Sequence, residues 1–354
     1  MRVRKAGGAA GAVLAVHGAA QRRRLLLIAL LSAFTLISVV ADLVTGPAGL
    51  DPGQLWGALA GDPQVPRASH VIVWEIRLPM ALMAVAVGAA LALAGAEMQT
   101  ILDNPLASPF TLGVSSAASF GAALAIVLGL GLPFVPAELL VTGNAFVFAF
   151  GATLLLQYLA RDGGGRSATL VLYGIALVFT FNALIAFIQF VASAEALQRF
   201  VFWGMGNLAA ATWPSVAMLA AVLAVVLPFS LAAAWDLTAL RFGEDRARSY
   251  GIDTARLRFL SLLRASLLAA TAVAVVGAIG FVGLVGPHVA RLLVGEDHRF
   301  FLPASALTGA LIMSLASTAS KLVIPGLTLP VGIVTSIVGL PLFFILIHRR
   351  ARRG

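Results

Sequence analysis

Apolar blocks of about twenty residues follow one another through most of this chain, and that succession limits its fold more than any other feature. Of its 354 residues, 60% are hydrophobic and only 11% are charged, whereas a soluble domain carries about 25% charged residues. About twenty apolar residues cross the hydrocarbon of a bilayer as a helix, and inside it every backbone polar group must be satisfied internally. The chain therefore reads as an all-α polytopic membrane protein.

About ten spans are expected, near Leu25–Val44, Leu78–Gln99, Phe110–Gly129, Leu139–Tyr158, Thr169–Val191, Pro214–Ala234 and Phe259–Gly280, a short eighth ending near Val294, then Pro303–Lys321 and Leu329–Ile347. Glu195–Trp203 reads as a short interfacial helix, and the segment from Gly280 to His288 as a helix break. Residues 1–21, rich in Gly and Ala with Arg2, Arg4 and Lys5, are expected to form an uncleaved, mobile tail. Residues 22–348 form the transmembrane domain and 349–354 a basic tail. With both ends inside, 19 Lys and Arg fall on inner segments and 4 on outer loops, a strong positive-inside bias. Both termini are expected in the cytoplasm. The net charge of +9 follows topology and does not indicate nucleic acid.

One charged run interrupts the apolar pattern. Arg241 to Arg258, RFGEDRARSYGIDTARLR, holds eight charged residues and two glycines between blocks of helical length. Such a run is costly in hydrocarbon and reads as a cytoplasmic platform of a size that suits a partner.

Enzyme readings fail on residue types. The chain has no cysteine, which excludes thiolate metal sites, disulfides and Cys catalysis. Its five histidines (His17, His70, His288, His298, His348) are scattered, and neither lysine, Lys5 or Lys321, follows a phosphate-binding glycine loop. No catalytic or metal-binding residue is assigned. His288 suits either a structural place beside the Gly-Pro break or a metal or haem ligand. Glu97 and Arg264 lie near span ends, within snorkelling reach of the interface. The uncharged Asn144, Gln157, Asn182 and Gln189 suit either interhelical hydrogen bonds or the lining of a wide pathway. Gly88, Gly95, Ala270, Ala274 and Gly277 have the small-residue spacing that lets membrane helices approach closely.

Several segments together resemble the FecCD-type permeases of type II ABC importers for iron complexes, haem and vitamin B12. They are IRLP (Ile76–Pro79), VGAALALAGAEMQ (Val87–Gln99), NPLASP (Asn104–Pro109), LGVSSAA (Leu112–Ala118), GEDRARSYGI (Gly243–Ile252), GAIGFVGLVGPHVAR (Gly277–Arg291), DHRFFLPASALTGA (Asp297–Ala310) and LPVGIVTSIVGLPLFF (Leu329–Phe344). They run in family order from about residue 70 onward. The resemblance implies a type II permease fold of ten helices in a homodimer, in the bacterial inner membrane. It also implies two separate ATPase subunits carrying ATP and magnesium, with no cofactor in this chain, and a periplasmic or lipid-anchored binding protein on the outside.

The resemblance also implies site residues. Two short coupling helices would fall at about Leu237–Gly251, with Gly243, Glu244, Arg246, Ala247 and Gly251 at motif positions. The plainer alternative is a solvated loop that only fixes topology. Arg77 and Lys321 fall where related permeases carry arginines that pair with glutamates of the binding protein, and Arg67 is a substitute; simple interfacial anchoring is the alternative. Met80 and Lys321 depart from the B12 permease pattern, which has arginine there. The loop around Arg166, Ser167, Ala168 and Thr169 aligns with a cytoplasmic gate. The implied cargo is a metal chelate, with ferric siderophore ranked before haem and cobalamin. An ion-coupled secondary transporter is the rival class.

Overall fold

The computed structural model describes residues 3–47, 49–131, 133, 136, 139–160 and 167–351, with side chains described from 18 to 341 and at 344. The expected positions Met1, Arg2, Arg166 and 352–354 lie outside them. The chain is nearly all helix. Helix α1 (Val3–Val44) is followed by the short α2 (Pro52–Ala60), α3 (Arg67–Val71), a π turn (Ile72–Arg77) and α4 (Leu78–Ile101). Then come α5 (Val114–Leu128), α6 (Leu140–Leu159), α7 (Ser167–Phe190), α8 (Ala194–Gly204) and α9 (Trp213–Ala232). Two short helices, α10 (Ala234–Leu240) and α11 (Glu244–Ser249), precede α12 (Thr254–Val276), α13 (Val282–Val294), α14 (His298–Leu322) and α15 (Val331–Ala351).

Among the described residues, seven helices are long and apolar enough to cross a membrane, and Val114–Leu128, Val282–Val294 and Val331–Pro341 are shorter apolar helices. Together they account for the ten expected spans. Three boundaries differ most from expectation. Helix α1 starts at Val3, so the segment read as a tail continues the first span as helix. The second span starts at Arg67 rather than Leu78, because the helix passes through the π turn without a break. The later break falls at Gly277–Phe281, and Pro287 lies inside α13. Gly277 takes φ 80° and Phe281 φ 67°, left-handed conformations that stop one helix and redirect the next.

Helix α4 is the centre of the bundle. Nearly all of its residues from Pro79 to Ile101 are buried, so it reads as apolar on every face. Its small residues decide what it touches. A Cβ on Gly88 would lie 2.2 Å from the Gly309 carbonyl oxygen of α14, and one on Gly95 would lie 1.7 Å from that of Gly283 in α13. Only glycine permits these crossings, which gain van der Waals contact where lipid offers no hydrophobic drive. Helix α12 packs on the same core through Leu262, Ala265, Leu268 and Ala269. Helix α1 joins α14 through a Ser38–Ser314 hydroxyl hydrogen bond of 2.8 Å. By contrast, α7 and α9 keep apolar side chains such as Phe179, Phe187, Val225 and Phe229 exposed, the faces left for lipid or another subunit.

Substituting Gly95→Val should push α4 off α13, an overpacking cost of about 1–3 kcal/mol or more. Purified in detergent, the variant should melt at lower temperature than the parent. Gly151→Ala, at a helix position with no neighbour within 4 Å, should be neutral or slightly stabilising. Equal melting of the two variants would contradict the close-packed crossing.

Candidate functional site

The short helix α10 and the charged run after it form a platform of two short helices, with the run's two glycines at the turns. Gly243 (φ 107°) turns the chain between α10 and α11, and Gly251 (φ 83°) between α11 and α12. Helix α11 carries Glu244 and Asp245 in its first turn and Arg246 and Arg248 in its last, the arrangement that suits the helix dipole. Ala247 is fully buried beneath it. Asp253 then starts α12, its carboxylate accepting from the Arg256 backbone N–H at 3.0 Å.

Glu244 faces its own chain. Its carboxylate accepts from Arg248 Nη2 (2.6 Å), Thr254 Oγ1 (3.1 Å) and Arg258 Nη2 (3.2 Å). Arg258 is buried, and its Nε donates to the Ile101 carbonyl at the end of α4. Burial raises the Glu244 pKa, but the Arg258 charge, hydrogen bonds from Arg258 and Thr254, and the Arg248 charge outweigh it. The carboxyl is held below its ordinary value. Of the five motif residues, Gly243 and Gly251 set turns, while Glu244 and Ala247 hold α11 together. Arg246 is the side chain offered to solvent. Also exposed on the platform are two residues outside those motif positions, the aromatics Phe242 and Tyr250.

Helix α10 sits on a polar foundation. His298, buried at the start of α14, lies between two hydroxyls. Thr100 Oγ1 of α4 is 2.8 Å from its Nε2, and Thr238 Oγ1 of α10 is 3.2 Å from its Nδ1. The His298 backbone N–H also donates to Thr238 Oγ1 at 3.0 Å. Next to it, Arg241 grips Glu296 with Nη2 and Nε (2.7 and 3.2 Å) and reaches Asp103 with Nη1 (3.0 Å). Asp297 caps α14, which starts at His298 rather than at the expected Pro303. The Thr100 and Thr238 partners of His298, 198 and 60 residues away, have no local signal in the sequence.

At the opposite end of the bundle the expected docking cations are not on display. Arg77 and Lys321 are 4% and 6% exposed. Lys321 Nζ donates to the Asp42 backbone carbonyl and to its Oδ1, both at 2.9 Å. Arg77 Nη1 donates to the carbonyls of Leu43 (2.8 Å) and Val44 (3.0 Å). The cause is the end of α1, whose last carbonyls have no helical partner and draw the two cations inward. Arg67 is exposed and remains available.

Glu97 and Arg264 do not snorkel. They pair inside the bundle, Arg264 Nη2 to Glu97 Oε2 at 2.6 Å, with Glu97 fully buried. Ser230 of α9 donates to the same carboxylate, and Arg264 donates to Ser261 at 2.8 Å. At the expected gate, Ser167 donates to the Ile101 carbonyl at 3.3 Å, while Ala168 is exposed and Thr169 half-buried. Asn144 Nδ2 donates to the Leu130 carbonyl at 2.8 Å, and Asn182 is exposed on α7. His288 lies half-buried within α13. Among the described residues, no group of three or more His, Asp or Glu could hold a metal ion. A cavity of about 740 Å³ opens where the helix breaks meet α15, lined in part by Phe110, Met205, Phe281 and Ser336.

A bundle of apolar helices, with its charges paired inside and a solvated two-helix platform at one end, is the architecture of a multi-pass membrane permease. The chain belongs to the FecCD transport family, whose model matches residues 7–349. It is 37% identical to the Fe(3+) dicitrate transport system permease of Escherichia coli K12, over 83% of this chain and 90% of that one. It is 35% identical to the hemin transport system permease of Yersinia pestis, over 86% and 90%. Among solved structures, an inward-facing metal-chelate type ABC transporter matches with TM-score 0.80 and 30% identity, covering 91% of this chain and 99% of that one.

Removing one partner of the buried pair at the end of α1 tests whether it fastens α1 to α14. Lys321→Met leaves Asp42 uncompensated and should cost about 3–5 kcal/mol, whereas Asp42→Leu with Lys321→Met should recover most of it. Thermal unfolding in detergent measures both. A Lys321→Met protein of unchanged stability would contradict the Asp42–Lys321 pair as a fastening of α1 to α14.

Proposed function

We propose that this chain is the membrane-spanning subunit of an ATP-binding-cassette importer that carries a metal chelate inward, with ferric siderophore as the leading cargo. The observation that carries the reading is the two-helix platform. It is solvated, bonded to the bundle through Thr238 and Arg241, and exposes Arg246, Phe242 and Tyr250, a surface suited to a protein cleft. The ATPases that fill this role are separate subunits holding ATP and magnesium, and this chain hydrolyses nothing.

Two copies form the pathway, with the exposed faces of α7 and α15 available to each other. The platform end and both termini face the cytoplasm, in accord with the positive-inside bias. A periplasmic or lipid-anchored binding protein docks at the opposite end, with Arg77, Lys321 and Arg67 as the docking candidates and Arg67 the exposed one. Ser167, Ala168 and Thr169 belong to the cytoplasmic gate. Cargo specificity rests with the binding protein. The ferric dicitrate and hemin relatives support an iron complex, with haem and cobalamin as alternatives by the same mechanism.

The buried Glu97–Arg264 pair is what favours an ion-coupled secondary transporter, because intramembrane charges often mark ion relays. Uptake by proteoliposomes decides between the two. They would contain this chain, its co-purified ATPase, and a binding protein loaded in turn with ferric siderophore, haem or cobalamin. The importer reading expects ferric siderophore uptake that needs both ATP and the binding protein. Uptake that persists without ATP and collapses with the ion gradients would overturn the class. ATP-driven uptake of haem or cobalamin alone would overturn the cargo ranking only.

A further inference from the structure

The platform is joined through the chain to α9 and α12, and a push on it would enter the bundle there if the peptide were its only attachment. The side chains provide a second route. Thr238, midway along α10, meets His298 at the start of α14, and the same imidazole meets Thr100 in the last turn of α4. Arg241, just past α10, holds Glu296 in the turn before α14 and Asp103 in the turn after α4. Arg291 ties this turn back to α4, its Nε 3.3 Å from Glu296 and its Nη2 donating to Gln99 Oε1 at 3.1 Å. Trp235, on the outer side of α10, lies under the Arg299 guanidinium at 4.4 Å.

Beyond these contacts α4 and α14 are closely packed against each other. Gly88 and Gly309 bring their backbones into contact, and packed interiors of this kind transmit displacement instead of absorbing it. At the far end, Arg77 preceding α4 and Lys321 in the last turn of α14 both grip the end of α1. A continuous mechanical path thus runs from the platform, through two close-packed helices, to the opposite face.

We propose that Thr238, His298 and Arg241 form a clasp that fixes the first coupling helix to α4 and α14, stays closed through the transport cycle, and carries ATPase movement to the outer end. These are positioning residues, and the proposal rests on the coupling reading above. Their bonds matter to transmission more than to folding: Arg241 is partly exposed and its Asp103 partner largely so, and exposed pairs contribute little stability.

The test uses the assembled complex in proteoliposomes and reads transport per ATP hydrolysed. Arg241→Ala should still bind the ATPase and hydrolyse ATP, while uptake per ATP falls by about tenfold, within the usual range of coupling effects. Glu296→Gln should do the same more weakly. Because the chain contains no cysteine, Thr238→Cys with His298→Cys can be joined by a disulfide or a short thiol-reactive linker without side reactions. Uptake by the joined pair should equal or exceed that of its unjoined form. Unchanged uptake per ATP in Arg241→Ala, or a joined pair that loses the uptake its unjoined form supports, would overturn the clasp. A parent chain that binds no ATPase would instead sink the coupling reading, and the clasp with it.

Discussion

Two facing pairs of glycines carry this architecture. In hydrocarbon, helices gain nothing by hiding apolar surface from lipid, so association depends on close contact and on satisfied polar groups. Gly88 against Gly309 and Gly95 against Gly283 give α4 that contact with α14 and α13. With α4 held between them, the remaining helices arrange around a core in which Ala90, Ala94 and Ala96 are fully buried. The small side chains are a geometric requirement of the crossings.

Charge is then placed where the packed centre leaves unfinished backbone or a solvated end. Arg77 and Lys321 complete the carbonyl end of α1, while Arg258 reaches the end of α4. Inside the bundle, Glu97 and Arg264 answer each other, and Ser230 and Ser261 take up the remaining capacity. Breaking such a pair costs far more than the pair contributes, so these contacts fix register between helices. The platform obeys the same logic in water. Glu244 gathers Arg248, Thr254 and Arg258, which leaves Arg246 exposed with Phe242 and Tyr250.

Much of this was legible in the sequence because it is local. Apolar runs announce spans by length alone, and the charged run announces a solvated platform, while its two short helices were an expectation of the family resemblance, with Gly243 and Gly251 at their turns. The small-residue spacing of α4 pointed to a close approach without naming its partner. What stayed hidden depends on distant residues. Nothing near Lys321 shows that Asp42, 279 residues earlier, will hold it. Nothing near Glu97 shows that Arg264 will turn inward. The π turn that extends the second span back to Arg67 has no signature in its own apolar sequence. His298 looked like one scattered histidine because both of its partners come from other helices. Family likeness carried the expectation of docking arginines, but the unfinished end of α1 decides where Arg77 and Lys321 point.

The central claim is that the platform is where an ATPase drives this permease, through the outward face of α11. A single Arg246→Cys substitution, in a chain with no other cysteine, places one thiol-reactive crosslinker on that face. The account predicts that the probe crosslinks to the ATPase subunit in the assembled complex, and that the ATPase protects the thiol from a water-soluble maleimide. A thiol that stays fully reactive and forms no crosslink, in a complex that still transports, would contradict it.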